Sequence, residues 1–307
     1  MKILITGGSG LLAGRLASYL AAFHTLTLVS RKNINNIFND PSISVKTYSS
    51  VQDIEKLLLN QDIILYASGP NAVDCEKSDL VKTYIDDTKY IIKCAKEISS
   101  VKKFIFFSSI RAVSDNCQGL ITEKSHCSPT THYGKLKVSI ENLLINDNFN
   151  DNLTRIILRI TNGYGYPAHD SVNCWDLVIM NICKQAVING EIRLNSDGSD
   201  FKDFIPIKSI AEITNNIINN EDNSEIFNVS SGISTKIIDF INKIKNILEV
   251  KLSKKIKISL NINSNNTVSA SNFTVDNSKI TDRQYMSMLN HDKEINNLID
   301  FCVNRFK

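Results

Sequence analysis

The chain lacks what would place it in a membrane, on a nucleic acid or around a metal ion. No apolar run approaches the roughly 20 residues that a membrane-spanning helix needs. No signal-peptide core is visible at the start, because Ile3–Ile5 runs straight into a glycine turn. A cytoplasmic protein without membrane attachment is expected. Neither sign of charge is in large excess: 35 Lys and Arg stand against 32 Asp and Glu, a net charge of +3. Nucleic-acid binders concentrate basic charge on one face, so no nucleic-acid partner is expected. Seven cysteines lie scattered at positions 75, 94, 117, 127, 174, 183 and 302, with no C-x-x-C pair. An odd, dispersed set suits reduced thiols, not a disulfide framework or a zinc site. The histidines at 24, 126, 132, 169 and 291 show no ligand spacing either, so no metal is expected. There is no internal repeat and no long linker.

What is present is a chain of 307 residues, 42% of them hydrophobic. That is enough for one large domain or two intimate ones. Short apolar runs alternate with helix-length amphipathic segments through the first half. Strands are predicted over Ile3–Thr6, Leu26–Val29, Val45–Tyr48, Ile63–Ala67, Phe104–Ser108 and Ile156–Ile160. Helices are predicted over Leu11–Phe23, Gln52–Leu59, Asp79–Ile98 and Tyr133–Ile145. This alternation implies an α/β fold, a Rossmann-type doubly wound parallel sheet with helices on both faces. Residues 1–165 should form that domain, joined by a return strand near 226–230. Residues 166–307 should form mostly a smaller C-terminal α/β lobe that binds substrate. Within it, helices are predicted over Val172–Val187, Ile207–Asn219 and Thr235–Leu248, the last capped by Ser234. Lys255–Ile262 reads as an exposed strand and Asn263–Asn272 as a loop.

The chain is organised around Lys2–Gly14, where strand, glycine turn and helix follow one another. Glycines at 7, 8 and 10 let the backbone approach a pyrophosphate, and the helix start offers unpaired N–H groups. Dinucleotide binding is therefore expected, with Gly7, Ser9, Gly10, Leu11 and Leu12 at the phosphates and Ala67 at the end of a neighbouring strand.

Tyr133 and Lys137 are four residues apart on a predicted helix and so share a face. An ammonium beside a phenol favours the phenolate, which suits a general acid/base for a hydroxyl or ketone. Upstream, the strand Phe104–Ser108 ends in Ser108 and Ser109. A strand-end hydroxyl lies where the ligand of such a sheet belongs. Ser109 is the first choice to bind the reacting oxygen and Ser108 the second.

Gly7-x-x-Gly10, Phe107-Ser-Ser109, Tyr133-x-x-x-Lys137 and Asn162-Gly-Tyr-Gly165 together resemble the extended short-chain dehydrogenase/reductases. More narrowly, the chain resembles their sugar-nucleotide branch, the NAD-dependent epimerase/dehydratase family. Asp197–Ile205 and Phe227–Gly232 extend the likeness over nearly the whole chain. The resemblance implies Tyr133 as catalytic acid/base, Lys137 on the nicotinamide ribose, and Ser109 on the reacting oxygen. It further implies Asn162 and Lys202 at the substrate diphosphate, with Trp175 as a substrate contact. A homodimer through the helices over 79–98 and 133–145 is also implied. The family's dehydratases carry an acidic pair after the catalytic hydroxyl; here Ile110 and Arg111 stand there, which argues against loss of water.

The expected reaction is reduction of a 4-keto nucleoside-diphosphate sugar. A 4-epimerase or a sugar-nucleotide dehydrogenase is the alternative, and a non-catalytic dinucleotide sensor is more remote. The second strand ends Val29-Ser-Arg-Lys-Asn33 without the carboxylate that selects NAD. Arg31 is suited to a 2′-phosphate, so NADP is the expected cofactor, with NAD possible.

Overall fold

A computed structural model describes residues 1–34, 37–146, 152–261 and 272–307, and the elements below belong to those residues. The chain begins with β1 (Lys2–Thr6), α1 (Leu11–Leu20), β2 (Thr25–Ser30), β3 (Ile43–Thr47), α2 (Val51–Leu58) and β4 (Ile63–Tyr66). It continues through α3 (Ser78–Glu97), β5 (Lys103–Ser109), β6 (Gly119–Ile121), α4 (His132–Ile145), β7 (Thr154–Ile160) and β8 (Asn162–Tyr164). The second half holds α5 (Val178–Asn189), β9 (Glu191–Leu194), β10 (Phe201–Pro206), α6 (Ile207–Asn219) and β11 (Glu225–Val229). Last come β12 (Ser234–Lys236), α7 (Ile237–Leu252), β13 (Lys257–Leu260), β14 (Phe273–Val275), α8 (Ser278–Asp282) and α9 (His291–Phe306).

Seven strands form one sheet in the order β11-β7-β5-β4-β1-β2-β3, every neighbouring pair parallel. A sheet covered on both faces needs strands apolar on both sides. The alternation is visible in β1, where Ile3 and Ile5 join the core under α1 and α6. Leu4 joins the core on the opposite face, beneath α2, α3 and α4. In β5, Ile105 and Phe107 take the first face and Phe104 and Phe106 the second. The order reverses between β1 and β4, which places the ligand crevice outside their carboxyl ends.

A second core packs α5, α7 and α9 with Tyr164 and Phe204. This second packed group makes up the smaller lobe, and the chain does not pass into it once at residue 165. α6 and β11 return to the main sheet and bury Ile213, Ile217 and Phe227 there. The predicted helix over 235–248 starts later. Ser234–Lys236 is β12, paired antiparallel with β10, and that ladder claims the backbone groups a helix would need. Ser234 therefore does not cap α7; its hydroxyl bonds Asn272 and Phe273 instead. The helix expected from 172 begins only at Val178, because 172–177 make turns, with Val172 N–H to His169 O and Leu177 N–H to Cys174 O. The strand expected over 255–262 is β13, paired with β9; residue 262 lies outside the described residues. So does the expected loop from 263 to 271.

Candidate active site

The glycine turn is held at three points. Gly7 takes a φ of +81°, and a Cβ there would lie 2.9 Å from the Ala67 carbonyl oxygen. Gly10 N–H donates to Gly7 O at 2.8 Å, and Gly8 N–H to Val29 O at 2.9 Å. Thr6 Oγ1 accepts from the N–H groups of Ala67 and Ser68, each at 3.1 Å. The segment after β4 is thereby drawn against the turn. Gly10 is the N-cap of α1 and supplies no side-chain cap, so the first-turn N–H groups stay available to an anion.

Beside this turn opens a cavity of about 350 Å³. Its walls include Gly10, Leu11, Leu12, Ala67, Ser109, Tyr133 and Lys137. The glycine turn, the strand-end serine and the Tyr-Lys pair thus meet in one space. Lys137 Nζ is buried, donates to Phe107 O at 3.0 Å, and lies 5.4 Å from the Tyr133 ring centre. Ser109 faces the cavity from the end of β5, its Oγ accepting from Arg111 N–H at 3.3 Å. Ser108 also lines this cavity, but not through its hydroxyl. Its side chain turns to the opposite face and donates to Glu141 Oε1 at 2.5 Å. Alternation along a strand decides between the two serines.

The start of α4 is tied to the loop after Ser109. Asp115 accepts from Thr130 N–H and Oγ1 at 2.7 and 2.9 Å, and from Thr131 N–H and Oγ1 at 2.9 and 2.6 Å. Partial burial works against its charge, but these donors prevail and hold the carboxyl at about 2. Thr131 then caps the helix by accepting from Gly134 N–H at 3.2 Å. A Cβ at 134 would sit 2.5 Å from Pro129 Cβ and 2.6 Å from Arg111 O. Only glycine lets Tyr133 stand this close to the turn carrying Ser109 and Arg111.

A second cavity of about 480 Å³ continues from Ser109 and Tyr133 toward the smaller lobe, between Asn162, Lys202, Phe204 and Leu177. Asn162 Nδ2 donates to Asp203 O at 2.9 Å, joining β8 to β10. Asp203 is fully buried beneath them. Its Oδ1 accepts from Thr161 Oγ1 at 2.7 Å and Ser231 N–H at 2.9 Å, while burial raises its pKa.

Trp175, expected at the substrate, is a correction. Its ring packs on α9, 4.9 Å from the Phe306 ring and 6.2 Å from Phe301. It is absent from the cavity walls, and its large apolar area is covered by packing. The neighbours Asp176 and Leu177 line the cleft instead. Thr161, Asn71 and Leu177 also line it although no sequence signal singled them out. Arg31 stands exposed just beyond β2, within electrostatic reach of Tyr48 and Asp87. Ser9 lies half-buried inside the turn.

The strand order β3-β2-β1-β4-β5-β7-β11, the glycine turn at the reversal point and a Tyr-x-x-x-Lys helix facing a strand-end serine are those of an extended short-chain dehydrogenase/reductase. The chain belongs to the NAD dependent epimerase/dehydratase family, whose model matches residues 3–230. A low-salt glycan biosynthesis protein of Haloferax volcanii is 20% identical over 80% of this chain and 81% of its own length. A dTDP-D-glucose 4,6-dehydratase of Dictyostelium discoideum is 24% identical over 80% of this chain and 62% of its own. Among solved structures, the UDP-glucuronic acid 4-epimerase of Bacillus cereus with NAD superposes with a TM-score of 0.80. It is 21% identical, over 98% of this chain and 96% of that one. The UDP-glucose 4-epimerase of Thermotoga maritima with UDP-glucose gives 0.81 at 18% identity, over the whole of both chains. Among the described residues, no helix is long and apolar enough to cross a membrane.

Proposed function

We propose that this protein is a nicotinamide-dinucleotide enzyme that oxidises or reduces carbon 4 of a nucleoside-diphosphate sugar. The observation that carries the reading is the single cavity shared by the glycine turn, Ser109, Tyr133 and Lys137. The residues fit the dinucleotide. Its cradle is the cavity lined by Gly10, Leu11 and Leu12, beside a helix start without a side-chain cap and a Gly7 packed too closely on the Ala67 backbone to carry a Cβ. Gly7, Ser9, Gly10, Leu11 and Leu12 would hold the phosphates, Ala67 the adjoining groups, and Lys137 the ribose. When bound, the dinucleotide supplies the two-electron acceptor or donor. Tyr133 gives or takes the proton of the sugar 4-oxygen, and Ser109 fixes that oxygen. Asn162 and Lys202 bind the diphosphate. Leu177 and Phe204 give the sugar end of the cavity apolar walls.

Loss of water is not part of this reading. Ile110 is buried and Arg111 is a cation, so the turn after Ser109 offers no carboxyl to remove a proton or protonate a leaving hydroxyl. Net reduction of a 4-keto sugar is the first outcome proposed. Epimerisation at carbon 4 is the second, favoured by the likeness to two 4-epimerases. Cofactor balance separates them. Reduction consumes one reduced dinucleotide per product, whereas epimerisation consumes none and keeps its dinucleotide through purification. Failure to turn over any sugar nucleotide would refute both.

For the cofactor, Arg31 supports NADP, while the solved relatives' NAD supports NAD. Charged hydrogen bonds are worth about 1.5–3 kcal/mol. Arg31→Ala should therefore raise the NADP dissociation constant about tenfold or more and leave that of NAD nearly unchanged. Equal values for NADP before and after the substitution would remove the assignment. A homodimer through the outer faces of α3 and α4 is proposed on the family likeness.

A further inference from the structure

This inference rests on the sugar-nucleotide reading above and concerns which sugar is taken. Arg111 lies two residues beyond Ser109 on the short turn Ile110–Ala112. Its main-chain N–H donates to Ser109 Oγ, which sets its backbone beside the group that would hold the reacting oxygen. Arg111 is exposed and lines the substrate cavity and a smaller side cavity of about 130 Å³ that opens beyond Ser109 toward Asn116, Cys117 and Phe273. Lys202 lines both spaces from the opposite strand. The Cys117 thiol feels both cations, although burial outweighs them and raises its pKa.

The acids nearby do not pair with Arg111. Asp115 is occupied by the Thr130 and Thr131 donors. Asp200 lines the side cavity and Asp176 the substrate cavity. Among the described residues, none of the three is in an ion pair with Arg111. A sugar seated between Ser109 and Lys202 would cover this guanidinium and strip its water. A neutral sugar would leave the cation without a counter-charge, which is costly. A carboxylate meets its two parallel N–H groups in bidentate fashion.

We propose that Arg111 is a specificity residue that selects nucleoside-diphosphate sugars carrying a carboxylate on the sugar. Lys202 and Asn162 serve the diphosphate, and Arg111 reads the sugar substituent.

The test compares ligands that differ only at carbon 6. Dissociation constants are measured calorimetrically for UDP-glucose and UDP-glucuronate, and for the same pair in the thymidine series, with the dinucleotide present. In the wild type the carboxylated member should bind at least tenfold tighter. In Arg111→Leu the ratio should fall to near one, and in Arg111→Lys it should be intermediate, since charge remains without the fork. A wild-type ratio near one would overturn the proposal. So would a ratio that Arg111→Leu leaves unchanged, because an equal loss for both members means the guanidinium grips the shared diphosphate. If the neutral members bind and only the ratio fails, the sugar-nucleotide reading stands and the carboxylate proposal falls. If neither member of either series binds, both fall together.

Discussion

Tyr133→Phe should lower turnover by about 10²–10⁴-fold, the range that general acid/base catalysis contributes. Dinucleotide affinity should stay where it was. The substitution removes one hydroxyl from a half-buried ring and leaves the glycine turn, Lys137 and the helix cap in place. The effect should appear in kcat and in kcat/KM alike, because the lost interaction is made with the oxygen whose proton is moving. Steady-state kinetics beside a cofactor titration checks this. Turnover within tenfold of wild type would mean that another group moves the proton.

Glu141→Ala should cost about 3–5 kcal/mol of stability, the penalty for leaving one half of a buried ion pair behind. The Glu141 and Arg159 side chains are nearly sealed from solvent. Arg159 grips the carboxylate through Nη2 to Oε2 at 2.7 Å, and through Nε to Oε1 and Oε2 at 3.1 and 3.2 Å. Ser108 donates to the same Oε1, and Arg159 also reaches Glu123 O and the Cys127 sulfur. The network ties α4 to β5 and β7, directly beneath the residues that carry Ser109 and Tyr133. Activity should therefore fall with stability, because the Ser109 and Tyr133 hydroxyls proposed to act in catalysis share this support. Denaturant unfolding followed by circular dichroism measures the change. Glu141→Gln, which keeps the shape and part of the hydrogen bonding, should lose less. A loss under about 1 kcal/mol for the alanine variant would show that the pair is replaceable by water.

The parts legible in the sequence were those governed by local rules. Gly7 and Gly10 announce a turn that no other residue makes so cheaply. Tyr133 and Lys137 announce a shared helix face by spacing alone. Which strand-end serine faces the cleft follows from alternation, and Ser109 is the one on the cavity side. The rest depended on distant partners. Ser234 looks like a helix cap until β10 pairs with it. Trp175 looks like a substrate contact until Phe301 and Phe306, more than a hundred residues later, cover its ring. Asp203 sits inside a recognisable segment, yet its role in clamping Thr161 and Ser231 requires three strands to meet. α9 buries Ile295, Leu298, Ile299 and Cys302, an apolar stripe at helical spacing that the sequence displays openly. That helix also supplies Glu294, which forms a buried ion pair with Arg15 of α1 at 3.2 Å. Through this pair α9 is tied to α1, the helix that follows the glycine turn.

On this reading one phenol and one alcohol hold the sugar 4-oxygen over the dinucleotide. A crystal structure of the wild-type enzyme with dinucleotide and a nucleoside-diphosphate sugar decides it. The expected result has Tyr133 Oη and Ser109 Oγ both within about 3.2 Å of that oxygen, the reach of a proton transfer, with Lys137 against the ribose. A sugar bound with its 4-oxygen away from Tyr133, or a dinucleotide seated anywhere but the cavity beside Gly7 and Gly10, would contradict it.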